Sequence, residues 1–445
     1  EIKNQAFAQG LELINDPSLL NEVVGLVEWP VVLMGKLEDQ FMSLPPEVLQ
    51  TSMREHQKFF SILDPKNNKV VQFATVANRE TSDNGSTILD GNQKVLSARL
   101  ADAKFFWDND LRVVNSSGLD LWLEKLKQVT FHNKLGSQFE RVERITNLSE
   151  TIAKKIGCDP NFAKSAASIS KTDLSSEMVY EFPELQGVMG TYYAVEAGFE
   201  ENIANACKEH YAPLGPSDKV PNSPISIVVA LADKIDTLTS FWAINEKPTG
   251  SKDPFALRRS ALGLIRIIIE NDIRISLSDI LALGNDGANI EDLKYFIHQR
   301  MKVFLRDQSL RHDLIDACLS LGEGNDLALS VKKSFALTDF IKTSDGANLI
   351  QGFKRANNIL RQAERKDGVE YSYGAESKYA EDGAEHNLFH ALDNEEVKIR
   401  SALEREDFVE AMSSMANLRT PIDSFFETVQ INSDVDIIRR NRLNL

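Results

Sequence analysis

The run Lys252-Asp253-Pro254-Phe255-Ala256-Leu257-Arg258-Arg259 opens a stretch in which Leu257, Ala261, Leu264 and Ile268 fall at i, i+4, i+7 and i+11. That spacing lays one apolar stripe along a helix, wide enough to face a core. Asp253 suits the N-cap, since its carboxylate can accept the first free amides, and Pro254 suits the first helical position, having no amide to lose. The same pattern governs most of the chain. Residues 121–245 read as helical almost throughout, punctuated by Gly157-Cys158-Asp159-Pro160 and by a loop from Pro213-Leu214-Gly215-Pro216 to Pro224. Near the C-terminus Phe353, Ala356, Asn357 and Leu360 share one face, and Ile422, Phe425, Phe426 and Val429 share another behind the cap Thr420-Pro421. Residues 367–383 between them are polar and contain glycine, which predicts an exposed loop.

The first part of the chain differs. Val31-Val32-Leu33-Met34 is a short apolar run. Phe59-Phe60-Ser61-Ile62-Leu63 and residues 70–77 read as strands on either side of Asp64-Pro65-Lys66-Asn67-Asn68, a hairpin signature. From Gly91 the pattern turns helical through Phe105-Phe106-Trp107, with Asn109-Asp110 and Asn115-Ser116-Ser117-Gly118 expected to break it. The expected architecture is mainly α and multidomain: an N-terminal α+β region over 1–118, an all-α domain over 119–245, a helical body or linker over 246–345 and a helical bundle over 346–445.

A length of 445 residues suits several domains, and 42% hydrophobic with 26% charged residues is the balance of a soluble globular protein. No apolar run approaches the roughly 20 residues needed to cross a bilayer, so no membrane role is expected. Cys158, Cys207 and Cys318 are widely spaced and lack CxxC pairing, which argues against a disulfide framework or a structural zinc site and for a reducing cytoplasm. The chain opens at Glu1 with no secretory signal, and so reads as a fragment lacking both ends. A net charge of −16 argues against wholesale phosphate binding, which leaves local basic tracks as the place to look for nucleic acid.

Two such tracks exist. Lys247, Lys252, Arg258, Arg259 and Arg266 face a single acid, Asp253, within residues 247–266, and Arg259 and Arg266 stand about two helical turns apart with Gly263 between them. Phosphate contact and structural salt bridging both suit these residues. Further on, Lys354, Asn358, Arg361 and Arg365 line the polar side of one helix, and Arg439, Arg440 and Arg442 form a basic end. Phe425 and Phe426 lie on the apolar stripe, so they are expected in the core and not as platforms for bases. Arg54, Lys58, Arg79, Lys94, Arg99 and Lys104 carry no pattern that assigns their contacts.

Val27-Glu28-Trp29-Pro30, Leu44-Pro45-Pro46-Glu47 and His56-Gln57-Lys58-Phe59-Phe60 together resemble the central part of bacterial glycyl-tRNA synthetase β subunits. The resemblance continues in order through Thr75-Val76-Ala77-Asn78, Arg99-Leu100-Ala101-Asp102-Ala103, Glu184-Leu185-Gln186-Gly187-Val188-Met189-Gly190 and Gly250-Ser251-Lys252-Asp253-Pro254. It implies a division of labour: a separate class II α subunit holds ATP and Mg2+, activates glycine and charges the tRNA. The β subunit grips the tRNA within an α2β2 heterotetramer and carries neither cofactor nor catalytic residue of its own. In agreement, the chain has no GxxxxGK[ST] phosphate loop and no synthetase active-site signature. Residues 346–445 resemble the helical anticodon-binding (DALR-type) domain shared by several synthetases, although Val429-Gln430-Ile431-Asn432-Ser433-Asp434 is more polar than that family's usual run.

Residues 119–245 resemble the HD superfamily of metal-dependent phosphohydrolases, with His132, Asp173, His210 and Asp233 as ligand candidates and Leu231-Ala232-Asp233-Lys234-Ile235-Asp236 as the closing motif. Thr172-Asp173 stands where the superfamily has His-Asp, and a hydroxyl replaces an imidazole poorly as a ligand. The expectation is therefore a retained scaffold without metal. An autonomous metal-dependent phosphohydrolase is the alternative.

Overall fold

The computed structural model describes residues 1–320 and 324–445, which form two compact units, Glu1–Tyr295 and Phe296–Leu445. The first unit opens with a four-stranded antiparallel sheet: β1 (Glu12–Leu13), β2 (Val31–Lys36), β3 (Phe60–Asp64) and β4 (Lys69–Ala77), in the order β1-β3-β4-β2. The β3–β4 turn works as its residues dictate. The Asp64 and Asn67 side chains accept from the amides of Lys66 and Lys69, and Asn68 takes the left-handed conformation at φ 56°. Gly35 on β2 lies under the Phe73 ring, 2.2 Å from where a Cβ would stand, so only glycine lets the ring cross the strand. Phe60, Ile62 and Ala74 pack on Ala6, Leu19 and Val23 from the two helices that flank β1. The two-residue β1 is too short to leave a pattern in sequence.

Helix α1 (Ser86–Ser117) runs through Asn109-Asp110, contrary to the expected break, and stops at Gly118 with φ 64°. Asp110 is buried. Its carboxylate accepts from the Glu177 and Met178 amides (2.9 and 3.0 Å) and from the Tyr193 hydroxyl (2.7 Å), capping the helix Glu177–Glu181. A polar pair in mid-helix was a tertiary cap, not a terminator.

The helical remainder of this unit gathers around one element. Helices α2 (Gln138–Ile156), α3 (Pro160–Ile169) and α4 (Val188–Glu196) precede α5 (Pro224–Ala243), in which every residue from Ile225 to Trp242 is buried. A helix buried on all sides is the centre of a domain, and its charged residues must find partners inside it. Helix α6 (Leu257–Glu270) packs on α5 through Leu257, Ala261, Leu264 and Ile268, the stripe read from sequence. Its start differs from expectation. Pro254 lies ahead of the helix, and Asp253 caps from four residues upstream, its two carboxylate oxygens accepting from the Leu257 and Arg258 amides (2.8 and 2.9 Å).

The second unit is a helical bundle that includes α7 (Leu327–Ile341), α8 (Ser344–Asp367), α9 (Gly383–Glu404), α10 (Phe408–Asn417), α11 (Arg419–Thr428) and α12 (Asp436–Asn444). Thr343 caps α8, Gly368 ends it at φ 68°, and Asp382 with Glu385 forms a capping box on α9. Thr420-Pro421 lies within the first turn of α11, behind an N-cap at Leu418. Phe425 is buried with Leu388 and Val429, as the stripe implied. The 368–382 connection is mostly exposed, but Tyr371 turns inward against Ala363 and Leu443. Among the described residues no helix is long and apolar enough to cross a membrane.

Candidate functional site

Asp233, Lys234 and Asp236 are charged residues on the buried helix α5, and each is matched by a partner. Arg141 and Arg144 stand one turn apart on α2, as Asp233 and Asp236 do on α5, and the two sets pair. The Arg141 guanidinium donates to Asp233 (3.0 Å) and to the Thr237 hydroxyl (2.9 Å), and Arg144 donates to Asp236 (2.6 Å). Lys234 donates to the carbonyls of His210 (3.2 Å) and Ala212 (2.9 Å). Its aliphatic stem crosses Gly263 of α6, where a Cβ would lie 2.5 Å from the lysine Cε.

Lys171, 2% exposed, holds the centre of the cluster. Its ammonium lies 2.9 Å from Asp233 and 2.9 Å from His210 Nε2, and it faces the Tyr211 ring at 4.5 Å. His210 Nδ1 lies 2.8 Å from the Ala206 carbonyl and so must carry the proton, which leaves Nε2 to accept from the lysine. Burial, then the neighbouring lysine charge, depresses the His210 pKa well below its usual range and keeps the ring neutral. Burial pushes the Asp233 carboxyl up, but the charges of Lys171 and Arg141 outweigh it and hold the group well below the usual carboxylate range. Burial lowers Lys234 to about 8 despite the attraction of Asp233, with Lys171 and Arg141 adding repulsion.

The four ligand candidates do not converge. Asp173 turns its Oδ2 to the amides of Gly187 and Gly190 at the start of α4, while its buried Oδ1 has no partner. Burial raises that carboxyl to about 6. His132 lies among aromatic rings, edge-on to Phe241 and Phe255 at 5.5 and 5.4 Å. His210 and Asp233 do face one point, and the Lys171 ammonium lies between them. These residues do not fit a divalent ion: a fixed cation bridges the two remaining ligands, and among the described residues no group of three or more His, Cys, Asp or Glu is placed to hold a metal. Sequence reasoning missed Lys171 and Arg141. The matched i, i+3 spacing of Arg141/Arg144 and Asp233/Asp236 was the available signal.

The basic tracks separate into committed and free residues. Arg266 is buried, donating to Glu270 (2.7 Å) and to the carbonyls of Gly215 (2.9 Å) and Asp218 (2.7 Å), so it fastens the 213–224 loop and offers no phosphate contact. Arg258 donates to the Gly250 carbonyl (2.6 Å). Arg439 donates to Asp367 (2.6 Å) and Tyr371 (3.2 Å). Arg442, also largely buried, grips Glu385 with two bonds of 2.9 Å. Of these four RNA candidates, Arg266, Arg439 and Arg442 are committed to carboxylate, hydroxyl or carbonyl partners within the fold, whereas Arg258 is half-exposed and held only by two backbone carbonyls, the second, of Lys252, at 3.5 Å. Arg259 and Arg440 are exposed, as is Lys252. On α8 Lys354, Asn358, Arg361 and Arg365 all reach solvent along one face, and the three cations have no ion-pair partner among the described residues. Phe353, read from sequence as part of the apolar face with Ala356 and Leu360, is 68% exposed.

Comparison with known proteins gives these features a lineage. A family model described as "Glycyl-tRNA synthetase beta subunit" matches residues 1–320, and one described as "DALR anticodon binding domain" matches residues 349–445. The "Glycine--tRNA ligase beta subunit" of Ruegeria sp. (strain TM1040) is 63% identical over 99% of this chain and 64% of its own length. The protein of that name from Cereibacter sphaeroides (strain ATCC 17023) is 60% identical over 100% of the chain and 65% of its own length. That from Rhodospirillum centenum is 47% identical over 99% and 63%. The chain thus spans somewhat less than two thirds of the length of these curated relatives. With the first model covering the sheet, α5 and α6, and the second covering α8 to α12, the chain belongs to the glycyl-tRNA synthetase β subunit family.

Proposed function

We propose that this chain supplies the tRNA-gripping part of the β subunit of a glycine–tRNA ligase. Glycine activation and transfer, with ATP and Mg2+, take place on a separate α subunit in an α2β2 assembly in the cytoplasm. The observation that carries the reading is the exposed basic face of α8, Lys354, Asn358, Arg361 and Arg365, in the segment that matches a DALR anticodon-binding domain. Three cations with no internal partner on one helical face can each neutralise a phosphate, and the exposed Phe353 ring beside Lys354 offers a surface for an unstacked base. The relatives' names support the glycine specificity.

Filter binding of glycine tRNA to the chain over a salt series tests this. Binding should weaken steeply with salt, and Arg361→Gln with Arg365→Gln should reduce the slope of log K against log salt by roughly 1.5, at about 0.7–0.9 per phosphate lost. An unchanged slope would remove α8 from the interface. In a parallel assay the α subunit should charge tRNA only when the intact β subunit is added. Glycylation by this chain alone would overturn the assignment.

A further inference from the structure

The helix Pro17–Leu26 is apolar on two sides, and the fold uses one of them. Leu19 and Val23 are buried against Phe60, Ile62 and Ala74 of the sheet, whereas Leu20, Val24 and Leu26, with Trp29 just beyond, are each between 52% and 69% exposed. The only charged residue of the helix, Glu22, is paired with Lys58 at 3.0 Å. A helix that is apolar on more than one face is ordinarily enclosed on more than one face. The Asn78 side chain accepts from the Glu28 and Trp29 amides (2.9 and 2.8 Å), which fixes the backbone beneath the exposed indole. The core under this helix is half covered as well: its buried residues are ringed by Ile2, Leu11, Leu13, Val27, Met34 and Val76, all only partly buried. A core in that condition has a side on which a further layer can pack.

A fixed indole and three exposed aliphatic side chains within Leu20–Trp29 mark a surface made to be covered by protein. Its charge narrows the choice of cover. Residues 1–30 hold Glu1, Glu12, Asp16, Glu22 and Glu28 against Lys3 alone, a balance that repels nucleic-acid phosphate and would set acid against acid if two copies met through this face. The relatives point to the occupant: the chain spans 64% of the Ruegeria protein and 63% of the Rhodospirillum protein, so more than a third of each has no counterpart in these residues. A segment of the same polypeptide docks at the effective concentration set by its linker, an advantage that a separate partner lacks. We propose that the face formed by Leu20, Val24, Leu26 and Trp29 is an internal interface of the longer β subunit, covered by an apolar surface with a lysine or arginine rim from the part of the subunit outside this chain. The inference rests on membership of the β-subunit family and not on the basic face of α8.

The test is hydroxyl-radical footprinting read by mass spectrometry, on this chain and on the intact β subunit without α or tRNA, each over a series of protein concentrations. Leu20, Leu26 and Trp29 should oxidise readily in the chain and more slowly in the intact subunit, by roughly fivefold or more, because a well-packed interface excludes water. Equal rates in the two proteins would overturn the proposal. Protection that appears only when α is added would overturn it too and assign the face to that subunit, and protection that grows with protein concentration would assign it to a second copy. Leu20→Glu with Val24→Glu removes no buried side chain, so it should leave the thermal unfolding of this chain unchanged and, in the intact subunit, return Trp29 to the rate seen in the chain. Trp29 still protected in that variant would show that the face does not hold the added segment, which again overturns the proposal. Salt-dependent tRNA binding is read alongside and should be the same in variant and parent. Its absence from both would remove the proposed function and leave this interface standing.

Discussion

Two sets of cations in this molecule are made of the same residue types and meet opposite fates. In the first unit Arg141, Lys171 and Lys234 are enclosed around α5, and they and the half-buried Arg144 are each tied to a carboxylate, an imidazole or a backbone carbonyl. In the second unit Lys354, Arg361 and Arg365 stand exposed on α8 with no side-chain hydrogen-bond or ion-pair partner among the described residues. Enclosed charges cannot be removed singly without leaving a partner desolvated, whereas exposed ones cost the fold nothing to lose and are available to a ligand. A basic residue therefore speaks for nucleic acid only after the fold has declined to use it. Arg442 illustrates the rule inside the second unit, for it sits in a basic sequence and yet is held by the fully buried Glu385.

The largest effect should come from Asp233→Ala. It strands the Lys171 ammonium beside Arg141 with only a neutral imidazole and an aromatic face for company, and should destabilise the first unit by about 3–5 kcal/mol, the range for breaking a buried pair. All four tryptophans, Trp29, Trp107, Trp122 and Trp242, lie in that unit, so fluorescence-monitored urea unfolding reads it selectively. A loss below about 1 kcal/mol would mean that the cluster is hydrated and the contrast with α8 is false. Arg442→Met should cost less, about 3 kcal/mol, because Glu385 keeps the Glu381 and Asp382 amides as donors. Circular dichroism is the appropriate readout, the second unit having no tryptophan.

Asp173 gives a smaller and pH-dependent contrast within the cluster itself. Asp233 stays ionised because two cations oppose its burial, but Asp173 has backbone amides on one oxygen only, and burial raises its pKa from 3.8 to about 6. A raised carboxyl binds more protons folded than unfolded. The stability it contributes is complete below about pH 4 and is lost as pH rises through about 6. Asp173→Asn keeps a carbonyl for the Gly187 and Gly190 amides and removes the titration. Its stability relative to the parent should therefore improve between pH 4 and pH 7 by about 1–3 kcal/mol, at about 1.4 kcal/mol per pH of displacement. A pH-independent difference would show that Asp173 titrates normally.

How far these sites could be read from sequence follows from the same physics. Periodic features were legible, because the α6 stripe, the β3–β4 hairpin and the row at 354, 358, 361 and 365 are local in the chain. The four ligand candidates were recognised by type, but their dispersal was not, since it depends on Lys171 reaching Asp233 across 62 positions. Asp110 was misread as a helix breaker for a similar reason: its work is to cap a helix that begins at Glu177. Arg266, Arg439 and Arg442 were indistinguishable from free cations until carbonyls and carboxylates from elsewhere in their own units closed on them.

The smallest effect is expected where the contrast is most useful. Replacing Arg361 and Arg365 by glutamine keeps good helix formers on an exposed face and removes no side-chain hydrogen bond or ion pair among the described residues, so unfolding of the second unit should shift by no more than about 0.5 kcal/mol. The measurement is again circular dichroism, with the single variants alongside the double. If the fold registered these changes as strongly as it registers Arg442→Met, α8 would be held by contacts of its own, and its arginines would lose their claim to be reserved for a partner. A fold indifferent to them, in a variant whose salt-dependent RNA binding has fallen, would separate the two uses of positive charge by experiment: one set holds the fold, and the other is left for the ligand.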